Sequence, residues 1–345
     1  MDAVRTQAAL LELGQPGYRW EQVRRAVYEQ AVSSYDEISV LPADARRALA
    51  ERAPLLSLTE RRVDSSPDGR ARKALLDLRD GRTVETVLLR PSPTRWTTCI
   101  SSQVGCAVAC TFCATGLMGL ARSLTPEEIA DQVLFWRQYM KKNGLEGRLD
   151  NVVYMGMGEP FACYDETAES LRALLDQKRL GIGARHISVS TSGIAPKIVQ
   201  FGRDFAQVNL ALSLHAADDA LRTRLVPMNK AYPLAKLAEA LKDYLAQTNR
   251  KIFFEYVLLK GENDRAEDAE ALARWLSGLG PSALLHVNLI VFNQTDTPHA
   301  PTDESDARRF QAWILAAGFK ATVRRNLGRD IDGACGQLAV LEGKK

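Results

Sequence analysis

The sequence predicts an α/β chain built on a partial (β/α)6, TIM-like barrel, with a small N-terminal helical domain and a connecting β-hairpin. Three observations carry this. From Thr97 onward, strand-like and helix-like runs alternate, and repeated β-then-α units call for a parallel sheet. About six such units are present, fewer than the eight of a closed barrel. Polar and glycine-rich motifs fall just after successive strands, where barrel active sites form.

Residues 1–60 read as a helical accessory domain. The run Tyr18–Tyr28 puts Trp20, Val23, Val27 and Tyr28 near one face. Leu41-Pro42 breaks the pattern and Ala43–Ala53 resumes it. Residues 61–95 read as a hairpin linker: Ala74–Leu78 and Val84–Leu89 flank the turn Asp80-Gly81, and Pro91 and Pro93 end it. Residues 96–345 form the core. Its strands are Thr97–Ser102, Val152–Met155, Ile187–Ser190, Val208–Leu212, Ile252–Leu258, His286–Val291 and a last Ala321–Arg324. Its helices include Pro126–Lys142, Thr167–Gln177, Leu234–Gln247 and Ala266–Leu276.

Composition narrows the class. The 345 residues are 46% hydrophobic and 25% charged, ordinary for a soluble protein. No apolar stretch approaches the length that spans a bilayer. The start Met1–Gln7 is not a secretory signal, so a cytoplasmic location with reduced thiols is expected. The net charge of +3 is too small to indicate a nucleic-acid binder by itself. Local basic clusters at Arg61-Arg62, Arg70–Lys73, Lys141-Lys142, Arg308-Arg309 and Arg324-Arg325 permit RNA binding without showing it.

The run Cys106-Ala-Val-Ala-Cys110-Thr-Phe-Cys113 places three thiols on one tight turn. A 4Fe-4S cube normally takes four thiolates, so three leave one iron open to a non-protein ligand. Structural zinc would need a fourth ligand, from Cys99 or a distant histidine. The C-x-x-x-C-x-x-C spacing, with phenylalanine before the last cysteine, is the signature of the radical S-adenosylmethionine (SAM) superfamily.

Further motifs follow the later strands. Met155-Gly-Met-Gly158-Glu159-Pro160 combines close backbone approach with a carboxylate suited to an ammonium group. Ser190-Thr-Ser-Gly193, Ser213-Leu214-His215 and Phe292-Asn293-Gln294 end three others. Each is weak alone: the glycine turn by itself reads better as an ordinary Gly-Pro turn, and a lone histidine as a core or surface residue. Their shared position at one end of the strands is the stronger signal. Cys335 lies between Ala334 and Gly336 and is open to close approach; Cys99 precedes the cysteine run by seven residues.

With these residues assembled, the chain resembles the RlmN/Cfr family of radical SAM RNA methyltransferases over nearly its whole length. The likeness runs through Gly14–Arg19, Asp80-Gly81, Val84–Val87, Cys99–Cys106, Cys113–Gly116, Met155–Pro160, Ser213–His215 and Arg329–Leu338. It implies that Cys106, Cys110 and Cys113 hold one 4Fe-4S cluster. It implies SAM contacts from Gly158, Glu159, Ser190, Ser213, Leu214, His215 and Asn293. Cys335 becomes the methyl-carrying cysteine, Cys99 its resolving partner and Glu85 the proton acceptor. Two SAM molecules serve each turnover. The first methylates Cys335. The second yields a 5′-deoxyadenosyl radical that activates that methyl group for attachment to adenine. Cys99 then releases the product, leaving a Cys99–Cys335 disulfide for reduction. The implied substrates are 23S rRNA, in the peptidyl-transferase region, and tRNA, at the adenosine 3′ of the anticodon. Methylation at adenine carbon 2 is expected; carbon-8 methylation, of the Cfr type, is the alternative. An external electron donor and a monomeric state are expected too. Cys163, Gln294 and Gly333 depart from the family pattern, and Cys163 reads as structural.

Overall fold

In the computed structural model, which describes residues 1–339, three helices come first: α1 (Ala3–Glu12), α2 (Tyr18–Tyr28) and α3 (Ala43–Arg52). On α2, Val23, Val27 and Tyr28 are buried, as the periodicity requires, while Trp20 is half-buried. Three antiparallel strands follow: β1 (Leu58–Ser65), β2 (Ala71–Leu78) and β3 (Thr83–Ser92). The strand β1 is additional to the expected hairpin. It is an outer strand, Leu-Thr-Glu-Arg-Arg-Val-Asp-Ser, mostly exposed. Charge on an edge strand blocks stray pairing and also erases the apolar alternation that marks a strand in sequence.

The hairpin does not stand apart from the core. β3 pairs antiparallel with β4 (Arg95–Cys99). A parallel run then begins, separated first by a small hairpin of β5 (Gln103–Gly105) and β6 (Leu120–Ser123), with α4 (Ala114–Leu117) between them and α5 (Pro126–Lys142) after them. The remaining order is β7 (Arg148–Tyr154), α6 (Tyr164–Leu175), β8 (Ile187–Thr191), α7 (Ala195–Asp204), β9 (Asn209–Ser213), α8 (Asp219–Leu225), α9 (Leu234–Thr248), β10 (Ile252–Leu258), α10 (Ala266–Ser277), β11 (Leu285–Val291), α11 (Glu304–Ala316) and β12 (Lys320–Val323). The sheet order is β1-β2-β3-β4-β7-β8-β9-β10-β11-β12. From β4 onward every pairing is parallel. This is the six-unit partial barrel with a short last strand. Residues 340–345 of the expected 96–345 core lie outside the described residues.

Local chemistry sets the helix bounds. Pro126 begins α5, where its missing N–H leaves no gap. Thr125 and Glu128 form a reciprocal cap: the Glu128 N–H donates to Thr125 Oγ1, and the Thr125 N–H to Glu128 Oε2. The helix α5 is buried on most sides. Its Gln138 donates to the Val32 carbonyl at 2.7 Å, and its Asp131 accepts from the Ser57 N–H and hydroxyl, both at 2.9 Å. These bonds tie the N-terminal helices to the barrel.

One contact links α5 to the chemistry at the end of β4. Trp136, fully buried, donates its indole N–H to Thr86 Oγ1 at 3.1 Å. The Thr86 hydroxyl in turn donates to the Cys99 carbonyl at 2.7 Å. Trp136→Ala is therefore expected to destabilise the fold by about 3–5 kcal/mol, since it opens a cavity and removes the donor to the Thr86 hydroxyl oxygen. Denaturant unfolding measures this; a loss under about 1 kcal/mol would show that α5 does not hold β3 and β4 together.

Candidate active site

The site is assembled at the C-terminal ends of the parallel strands. Residues 106–119 form a loop clamped at its base, where the Cys106 N–H donates to the Gly119 carbonyl at 2.9 Å. Gly105 is held at φ +80°, and any Cβ there would lie 1.8 Å from that same carbonyl oxygen. The loop seats Val108 and Phe112 on a small apolar cluster with Leu221, Leu225, Val257 and Phe292. Its outer side is pinned by His299, whose Nε2 lies 3.0 Å from Thr111 Oγ1 and whose Nδ1 lies 2.6 Å from Glu262.

Cys106, Cys110 and Cys113 face one cavity of about 910 Å³, together with Gly158, Glu159, Ser190, Ser213, His215 and Cys335. Burial pushes the Cys106 thiol up to about 12 and that of Cys110 up as well. Thiols so placed ionise readily only beside a compensating positive charge. Among the described residues, no three His, Cys, Asp or Glu side chains form a group fit to hold a metal ion. A cube asks something different, one thiolate at each of several irons. Cys163 supplies no fourth thiolate here: its sulfur sits 3.7 Å from the Ser102, Glu159 and Pro160 carbonyls, beneath the cavity.

The turn after β7 is built for close approach. Gly158 has φ +101°, and a Cβ there would lie 2.6 Å from Gln103 Cβ. Gln103 also accepts the Glu159 N–H at 2.9 Å. The Glu159 carboxylate accepts from the Phe161 N–H at 3.0 Å and the Ser192 N–H at 2.6 Å. Burial nevertheless raises its pKa, because two backbone donors do not replace full hydration. A cationic ligand in the cavity would lower it again. Ser190 and Ser213 Oγ lie 3.1 Å apart on the same wall.

His215 sits at φ +60°, and Asn263 bonds both its carbonyl and that of Val257. The Val257 N–H donates to His215 Nδ1 at 3.1 Å, so Nδ1 is the acceptor and the proton of the neutral ring is on Nε2. Burial, helped by the Arg222 charge, depresses its pKa to about 3. Two expected contacts are placed differently. Leu214 is buried off the cavity wall, and its main chain is engaged by Glu255 and Arg222. Asn293 also lies off that wall. It donates to the Cys335 carbonyl at 3.0 Å, and its own Oδ1 is buried with no partner among the described residues. That orphaned acceptor, the buried Glu159 and the three thiols together fit a cluster with a polar, cationic ligand.

Cys335 stands between two spaces. It lines the first cavity and also a second, of about 1260 Å³, with Cys99, Met155, Ile290 and Arg324. Its surface is exposed although protein surrounds it; this crowding raises its thiol pKa, and Arg324 opposes the rise. Cys99 is buried on the other side, and burial raises its thiol far more, with the neighbouring Cys335 adding to it. All six cysteines are free thiols, so the expected Cys99–Cys335 bond is not formed in this structure.

The segment carrying Cys335 is strapped down from several elements. The Ala114 N–H donates to the Gly336 carbonyl at 2.8 Å, the Thr115 hydroxyl to that of Leu338 at 2.5 Å, and Gln337 to that of Gln294 at 3.1 Å. Glu85 belongs to this strap. Its carboxylate accepts the Ala339 N–H at 3.0 Å and pairs with Lys73 at 3.1 Å, and Lys73 reaches the Asp332 carbonyl at 3.4 Å. Burial raises the Glu85 pKa and Lys73 opposes this. Glu85 is not on the wall of either cavity in this arrangement.

Several residues of the site carry no motif. Arg222 is fully buried and donates to the Leu214, Ser192 and Ser213 carbonyls and to Asn229. It thereby joins the ends of β8 and β9. Glu255 is buried on β10, where it accepts from Asn288 at 2.8 Å and pairs with Arg324 at 3.2 Å. Lys73 and Arg324 do fall in the basic clusters, but charge alone did not separate them from solvated arginines.

The radical SAM superfamily model matches residues 100–276. The chain is 43% identical to a protein named probable dual-specificity RNA methyltransferase RlmN from Staphylococcus aureus strain JH9, and equally to that of strain Newman. Each alignment spans 334 residues, 96% of this chain and 90% of the relative. The chain belongs to the RlmN family of radical SAM RNA methyltransferases. A solved radical SAM methyltransferase from Sphaerobacter thermophilus superposes with TM-score 0.91 at 44% identity, covering 98% of this chain and 97% of the other. The fold alone is shared with Streptococcus suis SuiB, at TM-score 0.50 and 15% identity over 70% of this chain and 50% of that one. Among the described residues no helix is long and apolar enough to cross a membrane.

For an RlmN-family site, a neutral His215 has a measurable consequence. The unfolded ring titrates near 6.5 and the folded one near 3. Between those values the unfolded chain binds a proton that the folded chain does not, so this contribution to stability is present above pH 6.5 and is lost as pH falls. His215→Asn is expected to flatten the acid side of the stability profile between pH 6.5 and 4. Denaturant midpoints against pH measure it; an unchanged slope would mean that the ring is already charged in the fold.

Proposed function

We propose that this chain methylates carbon 2 of an adenosine in 23S rRNA and in tRNA, by way of a methyl group held on Cys335. The observation that carries this is the placement of Cys335, which faces the three-cysteine cavity on one side and the Cys99 cavity on the other. A methyl carrier has to be reachable from both. The relatives' name, dual-specificity RNA methyltransferase, supports RNA as the substrate class. The family's wider pattern supports the two RNAs and carbon 2.

Cys106, Cys110 and Cys113 would hold a 4Fe-4S cluster, with Gly158, Glu159, Ser190, Ser213 and His215 around SAM. Leu214 and Asn293 would support that ligand through their main-chain and buried polar contacts. When bound, this pair supplies the one-electron chemistry that activates an unreactive carbon–hydrogen bond. The chain's own residues do the rest. Glu159 receives the ligand's ammonium group, and the Ser190 and Ser213 hydroxyls orient its polar edge. His215, uncharged, offers an N–H without adding positive charge near a sulfonium. Cys335 Sγ forms a bond to a methyl carbon, S-adenosylhomocysteine departs, and the thiol proton goes to solvent. That carbon would give up one hydrogen atom and become bonded to adenine carbon 2 while still attached to Cys335; the bound cluster and SAM would supply the acceptor for that hydrogen atom and for the one electron left when the carbon-2 proton departs. Glu85 takes the carbon-2 proton once the strap shifts from its present position. Its raised pKa makes it a stronger base than an ordinary carboxylate. Cys99 Sγ, giving up its thiol proton, then attacks Cys335 Sγ; the sulfur–carbon bond breaks, the departing methylene carbon takes up a proton to become the methyl group, and the two sulfurs remain joined until a reductant frees them. Cytoplasmic residence, a monomeric enzyme, an external electron donor and the division 1–60, 61–95 and 96–345 belong to the same proposal.

The test is anaerobic turnover of the reconstituted enzyme on unmodified rRNA and tRNA fragments, with product nucleosides identified by mass. We expect 2-methyladenosine from both; 8-methyladenosine as the sole product would replace this reading with the Cfr type. Cys335→Ala is expected to abolish product, and Glu85→Gln to slow it by about 10²–10⁴. Full activity of Cys335→Ala would exclude the methylcysteine route.

A further inference from the structure

The mouth of the Cys99–Cys335 cavity is edged by guanidinium groups that the fold leaves uncompensated. The stretch Thr322–Asn326 forms a shared wall between that cavity and a neighbouring polar one of about 1290 Å³. Arg325 lines both, Arg70 stands at the first and Arg329 at the second. Arg325 and Arg329 are exposed, and neither side chain has a hydrogen bond or ion pair among the described residues. Arg70 reaches only main-chain oxygens, those of Arg90 and Pro91 at 3.4 and 3.5 Å.

The carboxylates that line these two cavities are already engaged. Asp303 pairs with Lys260 at 2.8 Å and Glu304 with Arg308 at 2.6 Å. Exposed arginines on other faces are of both kinds: Arg62, Arg172 and Arg309 each hold a carboxylate at 3.0 Å or less, while Arg79, Arg95 and Arg274 hold none among the described residues. What sets Arg70, Arg325 and Arg329 apart is that they gather at two adjoining cavities. Unpaired guanidinium groups around a concave, partly apolar opening focus a positive potential there. Their planar fork matches phosphate oxygens two at a time.

The cavity behind them suits a base rather than a phosphate. Leu89, Pro91, Val153, Ile290 and Leu338 are among its walls, with the two thiols at the back. A base can enter such a space only when taken out of its stack, with its backbone left at the opening.

We propose that Arg70, Arg325 and Arg329 grip the phosphates flanking the target adenosine and hold an unstacked segment of RNA across this mouth. The proposal rests on the RNA-methylation reading and adds the surface that reading requires. Phosphate contacts of this kind position the strand and carry little base specificity. The arginines therefore set affinity and its salt dependence, while the cavity behind selects the base.

The experiment is binding of a fluorescently labelled RNA hairpin, carrying an unpaired adenosine in its loop, to the full chain over a range of salt concentrations. For single-stranded contacts each phosphate neutralised contributes about 0.7 to the slope of log affinity against log salt. Arg325→Gln/Arg329→Gln is expected to lower that slope by about 1.4 and to weaken binding about tenfold or more. In turnover the loss falls on KM for RNA far more than on kcat. Arg325→Lys/Arg329→Lys, which keeps the charge, is expected to restore most of the slope. Arg172→Gln, which removes one charge on α6, is expected to bind as the parent does. An unchanged slope and affinity in the double glutamine variant overturns the proposal, as does an equal loss in Arg172→Gln. A thermal midpoint for each variant separates lost contact from lost fold. If the parent chain binds RNA through these arginines yet methylates none, the methylation reading falls and the clamp stands.

Discussion

Everything at this site depends on one sulfur being reachable from two directions. Cys335 lies where two cavities meet, beside Met155 and Ile290, which line both as well. The segment that carries Cys335 is irregular, so its main-chain groups need partners from elsewhere. They come from the cysteine loop through Ala114 and Thr115, from the end of β11 through Asn293 and Gln294, and from β3 through Glu85. The fold is in this sense arranged around holding Cys335 between two cavities on an irregular strap. The positive φ of Gly336, +86°, lets the chain turn directly after the thiol.

Electrostatics divides the labour between the two sides. On the first, Arg222 is the buried cation nearest the cysteine loop, and it is fully used in joining strand ends. Burial disfavours its charge strongly enough to bring its pKa down to about 10. On the second side, Arg324 opposes the rise in both thiols while Glu255 anchors it. A buried ion pair adds little net stability, because desolvation offsets attraction. Its value here is position: it keeps one positive charge beside the Cys99 and Cys335 sulfurs.

Glu85 shows how tightly the hairpin is joined to this arrangement. Its main-chain carbonyl accepts from the Ser101 hydroxyl at 2.6 Å, and that hydroxyl accepts the Met157 N–H at 2.8 Å. A residue of the antiparallel hairpin thus braces the turn that presents Gly158 and Glu159. The hairpin is a wall of the site, continuous in hydrogen bonding with the parallel strands.

The sequence by itself determined the alternation of strands and helices, the three-thiol turn and the motifs after each strand, because these are local: period, spacing and turn chemistry act over a few residues. It did not reveal β1, whose charges hide its pattern, nor β5 and β6, which are too short to show one. Arg222 and Glu255 were illegible for another reason. A buried charge acquires meaning only from partners that the chain brings from far away. The same holds for Leu214 and Asn293, which carry family motifs yet act through main chain and a supporting bond. Only the tertiary structure decided that Cys99 and Cys335, 236 positions apart in the sequence, share one cavity, and that Arg70, Arg325 and Arg329 gather at two adjoining cavities. Such encounters depend on how a parallel sheet orders its strands, and no spacing along the chain records that order.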